Sequence, residues 1–278
     1  KRPLVLNAFF RISKLESKKR EFIEAGLVNK FAQEYMNDAR DLSSAAFKTD
    51  RIQYHDGVFK SMDNYTYLVI RNEAIPINVY MGVDIAATAT QQSDFQVIMV
   101  IGVTADYDYY IIDSNKNRYV LEYYRERIPT FDLPQEIIKM SKKYSPVRRV
   151  TIETVAAQEM VRDMVTRMAA SDRKLIPGIF KGVKPPPGIK KADRLETSLG
   201  PIVNSKKLYI RREMTELVDE MFEHPVPKND DLMDALYYSD YYAKSPLSSS
   251  ISVSEMNSGK KRGGKLKTYY NWMTGARN

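Results

Sequence analysis

Three sets of carboxylates in this sequence stand where acids need a reason. Asp84 lies in Val79-Tyr80-Met81-Gly82-Val83-Asp84-Ile85-Ala86, an otherwise apolar stretch with the character of a central strand. An unpaired carboxylate buried there costs several kcal/mol, so it must meet a cation or hydrogen-bond donors. Gly82 before it and the polar segment 87–94 after it suit a site at a strand end. The ordinary alternative is an acid bonded to nearby backbone amides. Glu153 closes Val150-Thr151-Ile152-Glu153, a short strand with a helix predicted to start at about Val155. Open α/β sheets place their chemistry at such strand ends. An acid favoured by the helix dipole is the alternative there. The third set is Asn229-Asp230-Asp231-Leu232-Met233-Asp234. A helical wheel puts Leu232, Ala235, Leu236, Ser239 and Tyr242 on the apolar face, Asp231 at its edge, and Asp230 and Asp234 well away. The wheel therefore selects Asp231 as the acid that turns inward, although acids in a first helical turn are also ordinary dipole partners.

Together, carboxylates from two strand ends and one helix start make a hard, oxygen-only donor set. That chemistry suits Mg2+ or Mn2+ rather than zinc. Two such ions ~4 Å apart activate a water and stabilise the leaving oxygen in phosphodiester cleavage, with no imidazole base required. The composition agrees. The 278 residues include no Cys and only two His, His55 and His224, which excludes disulfides, thiol nucleophiles, thiolate metal sites and His-rich centres. His55 reads as a turn residue and His224 as a residue preceding proline. No apolar run approaches the ~20 residues that span a bilayer. The chain opens without Met, and the expectation is a piece of a longer protein.

The elements that must position these acids follow from periodicity. Apolar strands are predicted at Val79–Ala86 and Phe95–Val103, with further strands at Tyr107–Asp113, Tyr119–Arg127, Arg149–Glu153 and Leu175–Phe180. Residues 49–75 carry turn signals that suit an antiparallel hairpin. Helices are predicted at Leu133–Tyr144, Ala156–Ala170, Lys190–Leu199, Arg212–Glu223 and Asn229–Ala243, the last with Asn229 as N-cap, and a hairpin at Asn204-Ser205-Lys206. Antiparallel strands followed by alternating helix and strand units predict an α/β protein with a mixed five-stranded sheet flanked by helices.

Charge is distributed unevenly. The formal net charge of +8 comes from the two ends: residues 1–48 carry 10 basic and 6 acidic residues, and residues 245–278 carry 6 basic and 1 acidic. The body between them is close to neutral. Residues 1–48 read as a helical lead-in, 49–243 as the folded domain, and 244–278 as a flexible, basic, Ser- and Gly-rich tail. Tyr269, Tyr270 and Trp272 offer that tail an anchor. Gly259–Lys265 has the spacing of a phosphate-binding loop, but Leu266 follows where Ser or Thr is needed and no strand precedes it.

The motifs Gly82-Val83-Asp84-Ile85-Ala86 with Ser93-Asp94-Phe95, Ile152-Glu153-Thr154, Lys191-x-x-Arg194-x-x-x-x-Leu199 and Asn229-Asp230-Asp231-Leu232-x-Asp234-Ala235-Leu236 resemble the RNase H-like nucleases. More narrowly, they resemble the nuclease domain of the large terminase subunit of tailed bacteriophages. Phe31-Ala32-Gln33-Glu34-Tyr35-Met36 is similar to the stretch that joins that family's two domains, so the resemblance runs over about residues 30–243. It implies an RNase H-like fold and an Mg2+- or Mn2+-dependent endonuclease, with two ions, that cuts concatemeric viral double-stranded DNA during packaging with little sequence preference. Asp84, Glu153 and Asp231 would be catalytic metal ligands, with Asp230 as a fourth. In that family an ATPase motor precedes the nuclease; no Walker motif on a strand and helix occurs here, and an excised nuclease is expected. The implied partners are DNA, the portal protein, the small terminase subunit and the motor, in the host cytoplasm at the procapsid portal and without a membrane.

DNA contacts are expected from Lys181, Lys184, Lys190, Lys191 and Arg194, around the Pro-stiffened loop 182–188. The alternative is a solvated loop with ordinary surface lysines. Two other functions compete: an RNase H-like enzyme of another kind, such as a junction resolvase or transposase, and a binding module whose site is vestigial. Metal-dependent cleavage separates the enzymes from the module, and junction preference separates the enzymes from each other.

Overall fold

The computed structural model describes residues 45–62, 65–86, 95–104, 116–154, 158–225, 227 and 229–246, with helical positions among 14–21 and short strands at 251–252, 270–271 and 276–277. Nine strands make the body: β1 (Gln53–Tyr54), β2 (Val58–Met62), β3 (Tyr65–Ile70), β4 (Glu73–Asp84), β5 (Gln96–Val103), β6 (Arg118–Glu126), β7 (Val147–Glu153), β8 (Phe180–Val183) and β9 (Leu208–Ile210). Five helices accompany them: α1 (Leu133–Lys143), α2 (Gln158–Ala170), α3 (Lys191–Asn204), α4 (Thr215–Glu223) and α5 (Asp231–Asp240).

The central strands run β6-β5-β4-β7-β8. β5 is antiparallel to both β4 and β6, whereas β7 lies parallel to β4 and β8 parallel to β7. This is the mixed five-stranded sheet expected of an RNase H-like fold. The parallel half needs crossovers, and α1 and α2 are placed before β7 and β8 to supply them. β3 and β2 extend the sheet beyond one end of β4, and β9 and β1 add parallel pairs beside β6.

Helices cover both faces, so the middle strands are apolar on both sides. All eight residues of β5 are buried. One face packs Val79, Met81, Val83, Ile98, Val100, Val150 and Ile152 against α1 and α2. The other packs Tyr80, Val97, Met99 and Ile101 against α3, α4 and α5. Alternation along β4 therefore turns Tyr80, Gly82 and Asp84 toward α5. Gly82 makes this contact possible: a Cβ there would stand 2.0 Å from the Ala235 carbonyl oxygen and 2.3 Å from the Ser239 nitrogen. The other end of α5 is tied down by a bidentate pair from Arg118 to Asp240, at 2.8 and 3.2 Å.

Several boundaries differ from expectation. The fifth strand begins at Phe180 rather than Leu175, because Pro177 opens a 3-10 turn at Pro177–Ile179. α3 continues through Pro201 to Asn204, and the predicted hairpin there is a helix-to-strand turn with Lys206 at φ 60°. α4 begins at Thr215, and α5 at Asp231, with Asp230 rather than Asn229 in the N-cap position. The folded body also reaches beyond 49–243: Phe47 is buried in the core, the Lys48 amide donates to Asn204 Oδ1, and the Lys244 amide donates to the Tyr80 hydroxyl. In the tail, Ile251–Ser252 pairs with the start of β4, and Tyr270–Asn271 pairs with Ala276–Arg277. The strand expected at Tyr107–Asp113, the Gly259–Lys265 segment and the stretch at Phe31–Met36 lie outside the described residues.

The two histidines are structural. His55 is buried, donates from Nε2 to the Val120 carbonyl at 3.0 Å and accepts the Gly57 amide on Nδ1, and burial keeps it neutral by lowering its pKa. His224 is also buried, with Nε2 3.0 Å from Glu196 Oε1 and its ring edge-on to Phe47.

Candidate active site

Asp84 and Glu153 are the last residues of β4 and β7, adjacent parallel strands that end together. The first turn of α5 lies over them because Gly82 admits the helix one row earlier. This geometry brings Asp234 to Asp84. Asp84 is buried, and its carboxyl titrates well above the usual carboxylate range. Burial is the main cause, followed by the charge of Asp234 and a side-chain hydrogen bond with Glu153; Lys191 acts in the opposite direction. Asp234 is 2% exposed and also titrates high, chiefly through burial, with Lys191 and Arg194 opposing.

The wheel's assignment of Asp234 to the outside is thereby corrected. α5 is buried along both its apolar and its acidic sides, since it lies between the sheet and α3 and α4, so a single apolar face does not describe it. Asp231 is buried too, but it is brought to a different place. Its Oδ2 lies 3.9 Å from Arg125 Nη2, and it adds its charge to that of Glu220. The structure thus gathers Asp84, Glu153 and Asp234, and puts Asp231 with Arg125. Asp230 is at the rim, 2.8 Å from Lys191 Nζ.

The basic residues divide in the same way. Lys191 contacts both Asp230 and Asp234, and Arg194 Nη2 lies 2.7 Å from Asp234 Oδ1. Arg194 is 7% exposed and sits against the rings of Tyr237 and Tyr238, so its guanidinium serves the acids rather than an outside phosphate. Lys181, Lys184 and Lys190 are exposed, with Lys184 Nζ 3.6 Å from Glu159. Sequence reasoning missed the inward turn of Asp234 and the pairing of α3 with α5. One signal was present: Lys191 and Arg194 are three apart and Asp230 and Asp234 four apart, so each pair shares a helix face. It also missed Tyr238, whose buried hydroxyl is pushed to a high pKa by burial and then by the charge of Glu153.

Beside this site, Arg125 is placed on the row of Asp84, since Val97 is the register partner of both. Arg125 lies 3.3 Å from Glu216 and Glu220 and stacks on Phe95, whose ring Arg127 also covers. Glu220 accepts the Met233 amide at 3.1 Å, but its Oε1 and Arg125 Nη2 are close without the alignment of a hydrogen bond. Burial, the main cause, and the charges of Asp231 and Asp230 push the Glu220 carboxyl up to about 8. Because its folded-state value is raised, the stability it contributes is full below its ordinary value near 4.5 and is lost as pH rises through about 8. Glu220→Gln keeps the acceptor for Met233 and removes the titration. Thermal unfolding should show wild type and variant nearly equal at pH 5, with the variant more stable at pH 8.5 by on the order of 2–4 kcal/mol. Parallel pH profiles would refute the assignment.

The donors Asp84, Glu153 and Asp234 are all carboxylate oxygens, two buried and Glu153 half-buried, whose charges repel, which fits a hard divalent cation. Among the described residues no group of three acids is already spaced around a common point for an ion. Ammonium and guanidinium groups hold Asp234 instead.

No protein-family model matches the chain, and no curated protein matches it. Among solved structures, the large terminase nuclease from thermophilic phage G20c is similar at 11% identity, over 70% of this chain and 96% of that chain, with a TM-score of 0.45. The P22 large terminase nuclease domain is similar at 13% identity, over 72% and 91%, with a TM-score of 0.43. Thermus thermophilus RuvC is similar at 12% identity, over 58% and 90%, with a TM-score of 0.33.

Proposed function

We propose that this chain is a metal-dependent DNA endonuclease that cuts concatemeric viral duplex DNA during packaging. The observation that carries the reading is the meeting of Asp84, Glu153 and Asp234 at the ends of two parallel strands under one helix start. The sequence motifs that resemble the terminase nucleases lie on the elements that build this place. Asp84, Glu153 and Asp234 would hold Mg2+ or Mn2+, which when bound supplies the activated water and the stabilisation of the leaving oxygen.

The chain's own groups do the rest. Burial under α5 removes bulk water from Asp84 and Asp234, and Arg194 fixes the Asp234 carboxylate by one oxygen. The ordinary role for exposed Lys181, Lys184 and Lys190 is sequence-independent phosphate contact, which makes binding weaken steeply with salt. Viral DNA, a portal protein, a small terminase subunit and an ATPase motor are the partners this role requires, in the host cytoplasm at the portal. Among the described residues no helix is long and apolar enough to cross a membrane.

The test is cleavage of supercoiled plasmid by the purified chain with MnCl2 or MgCl2, compared with EDTA. Nicking and linearisation with either ion, and none with EDTA, are expected. Linear or plasmid duplex should be cut at least as well as a four-way junction. Strong junction preference would replace the packaging role with a resolvase role, and binding of DNA without cleavage would reduce the chain to a binding module.

A further inference from the structure

Both oxygens of the Asp234 carboxylate are already taken by cations: Oδ1 by Arg194 at 2.7 Å and Oδ2 by Lys191. A metal ion bound by Asp234 needs at least one of them. The two occupants are not equally held. Arg194 is in the middle of the first turns of α3, 7% exposed, with its guanidinium 4.9 and 5.6 Å from the ring centres of Tyr237 and Tyr238. Lys191 is the first residue of α3, directly after the exposed stretch 187–190, and its side chain is 41% exposed. Its ammonium is a compact charge on a flexible four-carbon stem, whereas the guanidinium is a planar fork held by its neighbours. Lys191 also reaches Asp230 at 2.8 Å, and its charge acts on Asp84, so one ammonium serves three of the acids that crowd the site.

We propose that Lys191 is the site's internal counter-cation, a positioning residue whose ammonium holds the carboxylate cluster together and leaves Asp234 when a divalent ion enters. The inference rests on the metal-dependent reading of the site. Arg194 stays in place and keeps Asp234 oriented throughout. The ammonium and the metal compete for the same oxygen, so Lys191 lowers metal affinity and raises the stability of the metal-free protein. A divalent ion wins because it brings twice the charge to acids that repel one another.

Thermal unfolding and calorimetric MnCl2 titration of the wild type, Lys191→Met and Lys191→Arg test this. Lys191→Met should melt lower than wild type in EDTA, gain more on adding MnCl2, and bind Mn2+ on the order of tenfold more tightly. Lys191→Arg should restore the wild-type pattern. A merely structural lysine would lower melting with and without metal alike and leave the affinity unchanged, and that result overturns the proposal. A measurement on the unaltered protein stands beside it: acetylation by an amine-reactive ester, read by mass spectrometry with Lys184 and Lys190 as internal standards. Lys191 should be labelled slowly in EDTA and faster with MnCl2, and equal rates overturn the proposal. Absence of any Mn2+ effect on melting or labelling, in wild type and Lys191→Met alike, would overturn the metal reading and this inference with it.

Discussion

Asp234→Asn is expected to abolish Mn2+-dependent plasmid cleavage, as are Asp84→Asn and Glu153→Gln, whereas Asp231→Asn should retain most of it. The loss at the first three should exceed the ~10–100-fold that removal of an outer partner of a metal ligand typically costs. Asp231 and Asp234 are three residues apart on α5 and both are buried, so exposure does not decide between them, and the wheel's choice of Asp231 presumes a solvent face that α5 lacks. Their neighbours decide. Asp234 contributes the largest charge acting on Asp84, while Asp231 lies against Arg125 and acts on Glu220. Initial cleavage rates for the four variants, with circular dichroism to confirm folding, give the comparison. An Asp231→Asn variant as inactive as Asp234→Asn would restore Asp231 to the site. Asp234→Asn should also lower stability, because neutralising Asp234 leaves Arg194 buried without its carboxylate.

The choice between Asp231 and Asp234 marks where sequence reasoning stops. The strands were legible because β5 and the middle of β4 are apolar runs, and the acids that end β4 and β7 interrupt the pattern where a buried charge is costly. Part of the strand order follows from the connections: a two-residue link makes β3 and β4 an antiparallel hairpin, and the helices before β7 and β8 supply the crossovers that parallel pairing needs. Helix α5 was legible as a helix but not in its orientation. Its wheel presumes one apolar face toward the core and one polar face toward water, yet α3 and α4 cover the side that the wheel gives to solvent. Acids there are stabilised by Lys191 and Arg194 from a segment some 40 residues earlier, a tertiary fact that periodicity within one helix does not contain. For the same reason Lys191 and Arg194 read as phosphate contacts when taken alone.

Gly82→Ala is expected to be the most disruptive single-atom change in the molecule. Glycine is needed here for space. The added Cβ would meet the Ala235 carbonyl oxygen at 2.0 Å and the Ser239 nitrogen at 2.3 Å, both backbone atoms of α5 that no rotamer change can move. The helix must lift or slide, but Arg118 holds its far end through Asp240, and Leu232, Leu236 and Tyr238 pack into the core on that face. Overpacking a core commonly costs 1–3 kcal/mol, and a clash against backbone belongs at or above the upper end, about 3 kcal/mol or more. The same displacement separates Asp234 from Asp84, and a misplacement of ~1 Å in a catalytic array can cost about a hundredfold in rate. Chemical denaturation should therefore show a large drop in stability. Whatever folded protein remains should cleave poorly compared with wild type even when a stabilising osmolyte is added to both. Gly102, a residue of β5 whose added Cβ would have the Ile77 side chain as its nearest neighbour, supplies the comparison: Gly102→Ala should be milder, because a side chain can yield where a helix backbone cannot. Equal stability and equal cleavage for Gly82→Ala and wild type would mean that the close seat of α5 on β4 is not what assembles the site.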